Sequence, residues 1–187
     1  LAIAACAKNL VLLGDPQQLE QPVQGFHPEG TGVSALEHVL RGANTIPHDR
    51  GLFLEETWRL PPAICEVTSE LFYERRLRSR EDVERQALLN GPFAGAGFWF
   101  VPSPHDANQS ASREEVEIVS DLVRSLLEAR TRWRDREGLE HDLRLEDILV
   151  IAPYNAQDAD LIAQLPEGAR VGTVDRFQGQ EAPIVIY

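Results

Sequence analysis

Asp147-Ile148-Leu149-Val150-Ile151-Ala152 is the stretch on which the fold turns. It reads as a strand buried on both faces, as in a parallel sheet covered by helices. Pro153-Tyr154-Asn155 follows, and Asn155 can cap a helix carrying Leu161, Ile162 and Leu165. Upstream, Ser112-Arg113-Glu114-Glu115 matches a capping box, and Val116, Val119, Leu122, Val123, Leu126 and Leu127 then line one face of a helix. Downstream, Ala169–Val174 and Pro183–Tyr187 read as two more strands. This alternation predicts an α/β fold with a mainly parallel sheet.

Further out, Leu1–Ala7 reads as the end of a helix and Asn9–Leu13 as a buried strand, stopped by Gly14-Asp15-Pro16. Gln21–Gly32 is a loop by composition, Ser34–Leu40 a short helix capped by Ser34, and Leu52–Leu54 a short strand. Pro61 and Pro62 suit a helix start, where a missing N–H costs little, and Ile64, Val67, Thr68, Leu71 and Phe72 follow at helical spacing. An irregular connection is expected over Leu77–Gly97, a strand at Phe98–Val101, and a charged surface excursion over Thr131–Leu145.

The chain has 187 residues, 43% hydrophobic and 26% charged, which suits one domain, or the end of one joined to most of another. No apolar run approaches the roughly 20 residues of a membrane span, so no membrane partner is expected. Two cysteines, Cys6 and Cys65, form no CxxC pair, and the five histidines are scattered, which argues against a disulfide framework or a zinc site. A cytoplasmic protein is expected. The formal net charge of −12 speaks against a basic nucleic-acid-binding surface as a whole. A local groove of donors would still suffice, and Arg75, Arg76, Arg78 and Arg80 form a basic cluster readable either as such donors or as a solvated helix end. The chain opens on Leu1, contains no methionine and ends in an apolar strand, so it is expected to be an internal piece of a longer protein.

Three constellations are placed for chemistry, since ligands of open parallel sheets bind beyond the carboxyl ends of strands. In Leu10-Val11-Leu12-Leu13-Gly14-Asp15-Pro16-Gln17-Gln18-Leu19 a strand delivers a tight turn, a carboxylate and amides. The Gln18 amide can donate to a phosphate oxygen and accept from an attacking water; the same residues also make an ordinary strand-ending turn. In Trp58-Arg59, Arg59 is either a phosphate-reaching fork or a surface or ion-paired arginine, and Trp58 either stacks on a base or packs at a hinge. In Val171-Gly172-Thr173-Val174-Asp175-Arg176-Phe177-Gln178-Gly179-Gln180-Glu181, Thr173 offers a hydroxyl to a nucleic-acid phosphate, Gly179 allows close backbone approach, and Glu181 offers an acceptor to a ribose. A solvated loop after a strand would have the same spacing.

Gly14-Asp15-Pro16-Gln17-Gln18-Leu19, Glu56-Thr57-Trp58-Arg59-Leu60-Pro61-Pro62, Ala152-Pro153-Tyr154-Asn155-Ala156-Gln157 and Val174-Asp175-Arg176-Phe177-Gln178-Gly179-Gln180-Glu181 occur in the order and rough spacing of superfamily 1 helicases. The set resembles most the type B branch containing the nonsense-mediated-decay RNA helicases and the Okazaki-fragment nuclease-helicases. The resemblance implies RecA-like domains with ATP in the cleft between two of them and single-stranded DNA or RNA across both. On it, residues 1–54 would be the C-terminal part of a first RecA-like domain, and residues 55–187 a second, truncated at its C-terminal end. Gln18 would couple the γ-phosphate to strand binding and Arg59 would act as the arginine finger, the two catalytic residues. Asp15, Trp58, Gly179 and Glu181 would face the nucleotide, with Trp58 against the adenine. Pro153, Tyr154, Thr173 and Gln178 would lie along the strand, and Gln157 belongs to the same motif as Pro153 and Tyr154.

The family's phosphate loop, its Asp-Glu pair for Mg²⁺ and its last arginine motif have no counterpart in the sequence, so Mg²⁺ ligands are expected outside it and the isolated piece is expected to be inactive. The parent is expected to couple ATP hydrolysis to 5′-to-3′ travel on a single strand. The alternatives are a non-catalytic nucleic-acid-binding or scaffold remnant, and an accessory motor to a nuclease domain in the same chain.

Overall fold

A computed structural model describes residues 6–18, 25, 28, 32–104 and 106–187. The chain divides into two compact units. One takes in the described residues up to Thr57 together with Cys65–Arg78; the other comprises Trp58–Ile64 and Ser79–Tyr187. The expected helix over Leu1–Ala7 and loop over Gln21–Gly32 lie almost wholly outside the described residues.

In the first unit, α1 (Ala35–Leu40) starts at the expected cap. The Glu37 N–H donates to Ser34 Oγ at 3.1 Å, and the Ser34 N–H donates back to Glu37 Oε2, which completes a capping box. Arg41, left-handed at φ 53°, ends the helix. A short strand pair, β1 (Glu56–Thr57) and β2 (Arg78–Ser79), carries the Arg78 N–H to the Glu55 carbonyl. Between them runs α2 (Pro62–Phe72), starting at the expected prolines. Its C-terminal turn is closed by two left-handed residues, Glu74 and Arg75, with the Arg75 N–H reaching back to the Ser69 carbonyl at 2.9 Å. That turn is tied down: Arg76 Nη1 donates to Thr45 Oγ1 at 2.8 Å and to the Ile46 carbonyl at 2.9 Å, Thr45 donates to Glu74, and the Arg76 guanidinium lies over the Phe53 ring.

The second unit is built on β6 (Ile148–Ala152), the strand read first from sequence. It is the centre of a three-stranded parallel sheet, flanked by β7 (Arg170–Thr173) and β8 (Ile184–Ile186). Ile148, Val150 and Ala152 share one face by the two-residue period of a strand. They pack there with Val116, Val123 and Leu126 of α3 (Arg113–Glu128) and Leu161 of α4 (Asn155–Gln164). Leu149 is buried as well, so β6 is covered on both faces, as its unbroken apolar run requires. One turn of helix, α5 (Val174–Phe177), follows β7 directly. Gly172 permits this tight seat, since a Cβ there would stand 2.6 Å from Arg176 Cδ and 3.1 Å from Phe177 Cε2.

Beside this sheet lies an antiparallel one of β3 (Ala87–Leu88), β4 (Arg132–Arg134) and β5 (Glu140–Asp142). The expected charged excursion is thus an ordered hairpin. Its charges face each other across the strands, Arg134 with Glu140 at 2.9 Å and Arg132 with Glu140 at 2.9 Å. In its loop, Asp135 Oδ1 accepts the Leu139 N–H, Asp135 Oδ2 meets His141 Nε2 at 2.8 Å, and Gly138 supplies φ 87°.

Four expectations fail. Asn9–Leu13, Leu52–Leu54 and Phe98–Val101 are not strands, and several of their apolar side chains stand out in solvent: Leu13 and Leu52 are 93% exposed and Phe100 92%. A strand needs lateral partners for its backbone groups, and none of these segments joins a sheet among the described residues. Asn155 is not a cap either. Tyr154 holds that position without a side-chain bond, and Asn155 is the first helical residue.

Candidate functional site

In the first unit the Gly14-Asp15-Pro16-Gln17-Gln18 segment folds into a turn, with the Gln18 N–H on the Asp15 carbonyl at 3.3 Å. The Asp15 carboxylate gathers its neighbours. Oδ1 accepts the Gln17 N–H at 3.0 Å, as an aspartate does at the start of an Asx turn, and Oδ2 accepts the Gln18 side-chain amide at 3.1 Å. Oδ2 also accepts the Tyr73 hydroxyl at 2.6 Å, across 58 residues of sequence. Burial first, then the hydrogen bond to Asp15 and its negative charge, push the Tyr73 phenol well above its ordinary pKa, so it stays a donor.

In the second unit the expected arginine finger, Arg59, comes together with two of the expected nucleotide-facing residues, Gly179 and Glu181. Arg59 Nε donates to Glu181 Oε2 at 2.8 Å, and Arg59 Nη2 reaches the Gly179 carbonyl at 3.5 Å. Gly179 adopts φ 81°. This is a backbone that a Cβ disfavours, which places glycine there for a physical reason. Arg59 is therefore ion-paired, one of the two readings open from sequence. The pair is largely in solvent on both sides, so little energy holds it, about 0–1 kcal/mol for exposed pairs. Trp58 is 56% exposed and packs into no core; the Arg80 guanidinium lies 3.5 Å from its ring centroid, and Asp82 pairs with Arg80.

The expected strand-facing residues sit at one rim of the parallel sheet. Ala152 and Thr173 are in register at the carboxyl ends of β6 and β7, so Pro153, Tyr154 and Thr173 emerge side by side. Pro153 and Tyr154 are exposed, Thr173 is half-buried, and Gln178 is exposed just after α5. Gln157 is different. It is buried, its Oε1 accepts the Ser112 N–H at 2.7 Å, and its Nε2 donates towards the Ser112 carbonyl and Glu115. It ties the start of α3 to α4 inside the unit.

Sequence reasoning gave no role to Tyr73 and counted Arg80 only as part of a basic cluster. The structure engages the side chains of three of its four members: Arg75 pairs with Glu70, Arg76 with Thr45 and Ile46, Arg80 with Asp82 and Trp58. A tyrosine one residue past a helix carries no local signal of a partner 58 positions away.

Among the described residues no group of three or more His, Cys, Asp or Glu side chains is placed to hold a metal ion, and no helix is long and apolar enough to cross a membrane. For a nucleotide the donor set is suitable in kind. The Arg59 fork makes a weak exposed pair with Glu181 and reaches the Gly179 carbonyl, and the Trp58 indole is more than half exposed.

Comparison with known proteins bears on the same residues. The model of a family described as AAA domain matches residues 32–187. The DNA polymerase alpha-associated DNA helicase A of Schizosaccharomyces pombe is 27% identical over 96% of this chain and 28% of its own length. The ATP-dependent helicase NAM7 of Saccharomyces cerevisiae is 27% identical over 100% of this chain and 20% of its own. Replicase polyprotein 1ab of murine coronavirus is 24% identical over 97% of this chain, which spans 2% of that polyprotein. The chain thus covers a minor share of each of these relatives. No solved structure gives a significant match. With its α/β parallel sheet and its ordered motif set, the chain belongs to the AAA domain family, in the superfamily 1 helicase branch of the nonsense-mediated-decay type.

Proposed function

We propose that this chain is part of an ATP-driven motor that travels 5′-to-3′ along single-stranded DNA or RNA. Residues 1–54 would end a first RecA-like domain and residues 55–187 form most of a second. The observation that supports the reading best is the Arg59–Glu181 pair. It joins at 2.8 Å two motifs that lie 122 residues apart and that the family assigns to one nucleotide.

In this reading the exposed Trp58 ring takes the adenine, Gly179 and Glu181 face the sugar, and Glu181 parks the Arg59 guanidinium. Arg59 exchanges that carboxylate for a phosphate oxygen, which its planar fork fits equally well. Gln18 orients the attacking water, with Asp15 holding its amide. Pro153, Tyr154, Thr173 and Gln178 line the strand. ATP supplies the transferable phosphoryl group, and its Mg²⁺ ligands are expected mostly from residues outside this chain.

The test is ATP turnover by the full-length protein, with and without single-stranded DNA or RNA, in wild type and Arg59→Ala. An arginine finger contributes roughly 10³- to 10⁵-fold in rate, so strand-stimulated turnover should fall by orders of magnitude in the variant. A wild type that turns over with neither strand would overturn the motor reading and favour a scaffold.

A further inference from the structure

We propose that Tyr73 is a positioning residue for Gln18, acting through the Asp15 carboxylate. The inference rests on the motor reading, which makes Gln18 the residue that orients water.

A carboxylate can only accept hydrogen bonds, so Asp15 Oδ2 must hold Gln18 by its NH₂ end, at 3.1 Å. That contact decides which end of the amide points away. Oε1, an acceptor, faces outward, the end needed to take a proton of an attacking water. Gln18 is exposed, and nothing in its own rotamer preferences would hold this orientation. The restraint comes from Asp15, and the backbone N–H of Gln17 fixes only its other oxygen, Oδ1.

Tyr73 supplies the rest. Its hydroxyl donates at 2.6 Å to the same Oδ2 that holds Gln18. With Oδ1 on Gln17 and Oδ2 on Tyr73, the carboxylate plane is set from two sides. Tyr73 itself cannot drift. It follows α2 directly, its N–H is bound to the Ser69 carbonyl at 3.0 Å, and its ring lies 6.0 Å from that of Phe53. The two left-handed residues after it are anchored through Arg76 and Glu74 to Thr45, which is buried. A tethered phenol therefore transmits the position of the α2 terminus to the glutamine amide. Without it, Asp15 keeps one restraint, and Gln18 samples orientations in which Nε2 faces the water.

The experiment is steady-state ATP hydrolysis by the full-length protein with saturating single strand, comparing wild type, Tyr73→Phe, Gln18→Ala and the double variant. Phenylalanine keeps the ring against Phe53 and removes only the hydroxyl. We expect kcat to fall about tenfold in Tyr73→Phe, within the cost of misplacing a reacting group. KM for ATP should stay within about twofold, the pattern of an interaction used only in the transition state. In the Gln18→Ala background, Tyr73→Phe should lower kcat no further. An unchanged kcat in Tyr73→Phe, a raised KM with kcat kept, or the same further loss in the Gln18→Ala background would each overturn the proposal while leaving the motor standing. A wild type with no turnover, or a Gln18→Ala variant as fast as wild type, overturns the underlying reading and this proposal together.

Discussion

Gln157 shows how a motif residue can serve the fold instead of the ligand. Its amide satisfies the Ser112 N–H, one of the orphan donors at a helix start, at 2.7 Å, and its NH₂ end is directed at the Ser112 carbonyl and Glu115. Ser112 caps α3 in the expected way, accepting the Glu115 N–H at 3.2 Å. The reciprocal half of the box, which sequence assigned to Glu115, comes from a glutamine 45 residues on. Gln157→Ala would strand a buried N–H, which costs about 1–3 kcal/mol. Urea unfolding should show that loss with an unchanged slope. Glutamate at the same position should be no rescue near neutral pH, because a carboxylate would face Glu115 and the Ser112 carbonyl without a proton to give. A stability equal to wild type in Gln157→Ala would mean that another group reaches the Ser112 N–H.

The hairpin of β4 and β5 makes the corresponding case at the level of elements. Asp135 is held below its ordinary carboxylate range, chiefly by the hydrogen bond from His141, with the Leu139 N–H adding to it against some desolvation. A depressed carboxylate contributes stability that is fully present above its unfolded pKa, about 4, and is lost as pH falls on through the lower folded value. Asp135→Asn keeps an acceptor for the Leu139 N–H and removes the charge. It should be less stable than wild type near pH 6, by at most about 1 kcal/mol since the pair is partly in solvent, and the gap should narrow as pH falls below about 4. Thermal melts over a series from about pH 6 down to about pH 2 measure this, and a gap that did not narrow over the series would rule out the charge as its cause. The hairpin also marks a limit of reading sequence. Its strands are Arg-Trp-Arg and Glu-His-Asp, without the apolar alternation that announces a strand, and they are joined by cross-strand pairs of opposite charges and by Trp133 lying against His141. Conversely, Asn9–Leu13 and Phe98–Val101 carry the apolar signal and pair with nothing among the described residues. β6, β7, β8 and α3 were legible because their patterns match faces that the fold does bury, whereas α2 was legible from the prolines at its start, since it buries Cys65 and Ser69 and leaves Val67, Leu71 and Phe72 exposed. The placement of the candidate residues was legible where a motif sits at the end of such a strand, as Thr173 and Tyr154 do. It was not legible where a partner comes from elsewhere in the chain, as with Tyr73 on Asp15.

For the molecule as a whole, a formal charge of −12 has to be reconciled with the polyanionic track proposed for it. Contacts through cations release counterions, and binding to a single strand then weakens with salt by about 0.7 in log K per log unit for each phosphate neutralised. The residues proposed to line the strand are a proline, a tyrosine, a threonine and a glutamine, none of them charged. Stacking on Tyr154 and hydrogen bonds from Thr173 and Gln178 displace no counterions, while the net negative charge of the chain repels the strand in a way that salt screens. The uncharged contacts make this chain's proposed share of the binding insensitive to salt, and screening of the repulsion works against any weakening as salt rises. Thr173→Ala in the full-length protein should therefore weaken single-strand binding several-fold, the loss of about one hydrogen bond, and leave the slope of log K against log salt where it was. Removing an arginine that neutralised a phosphate would make that slope shallower by about 0.7. Titrations at salt concentrations from about 50 to 200 mM separate the two outcomes. A slope that changed by that amount in Thr173→Ala would show that the threonine holds a cation on the strand and does not contact the phosphate itself.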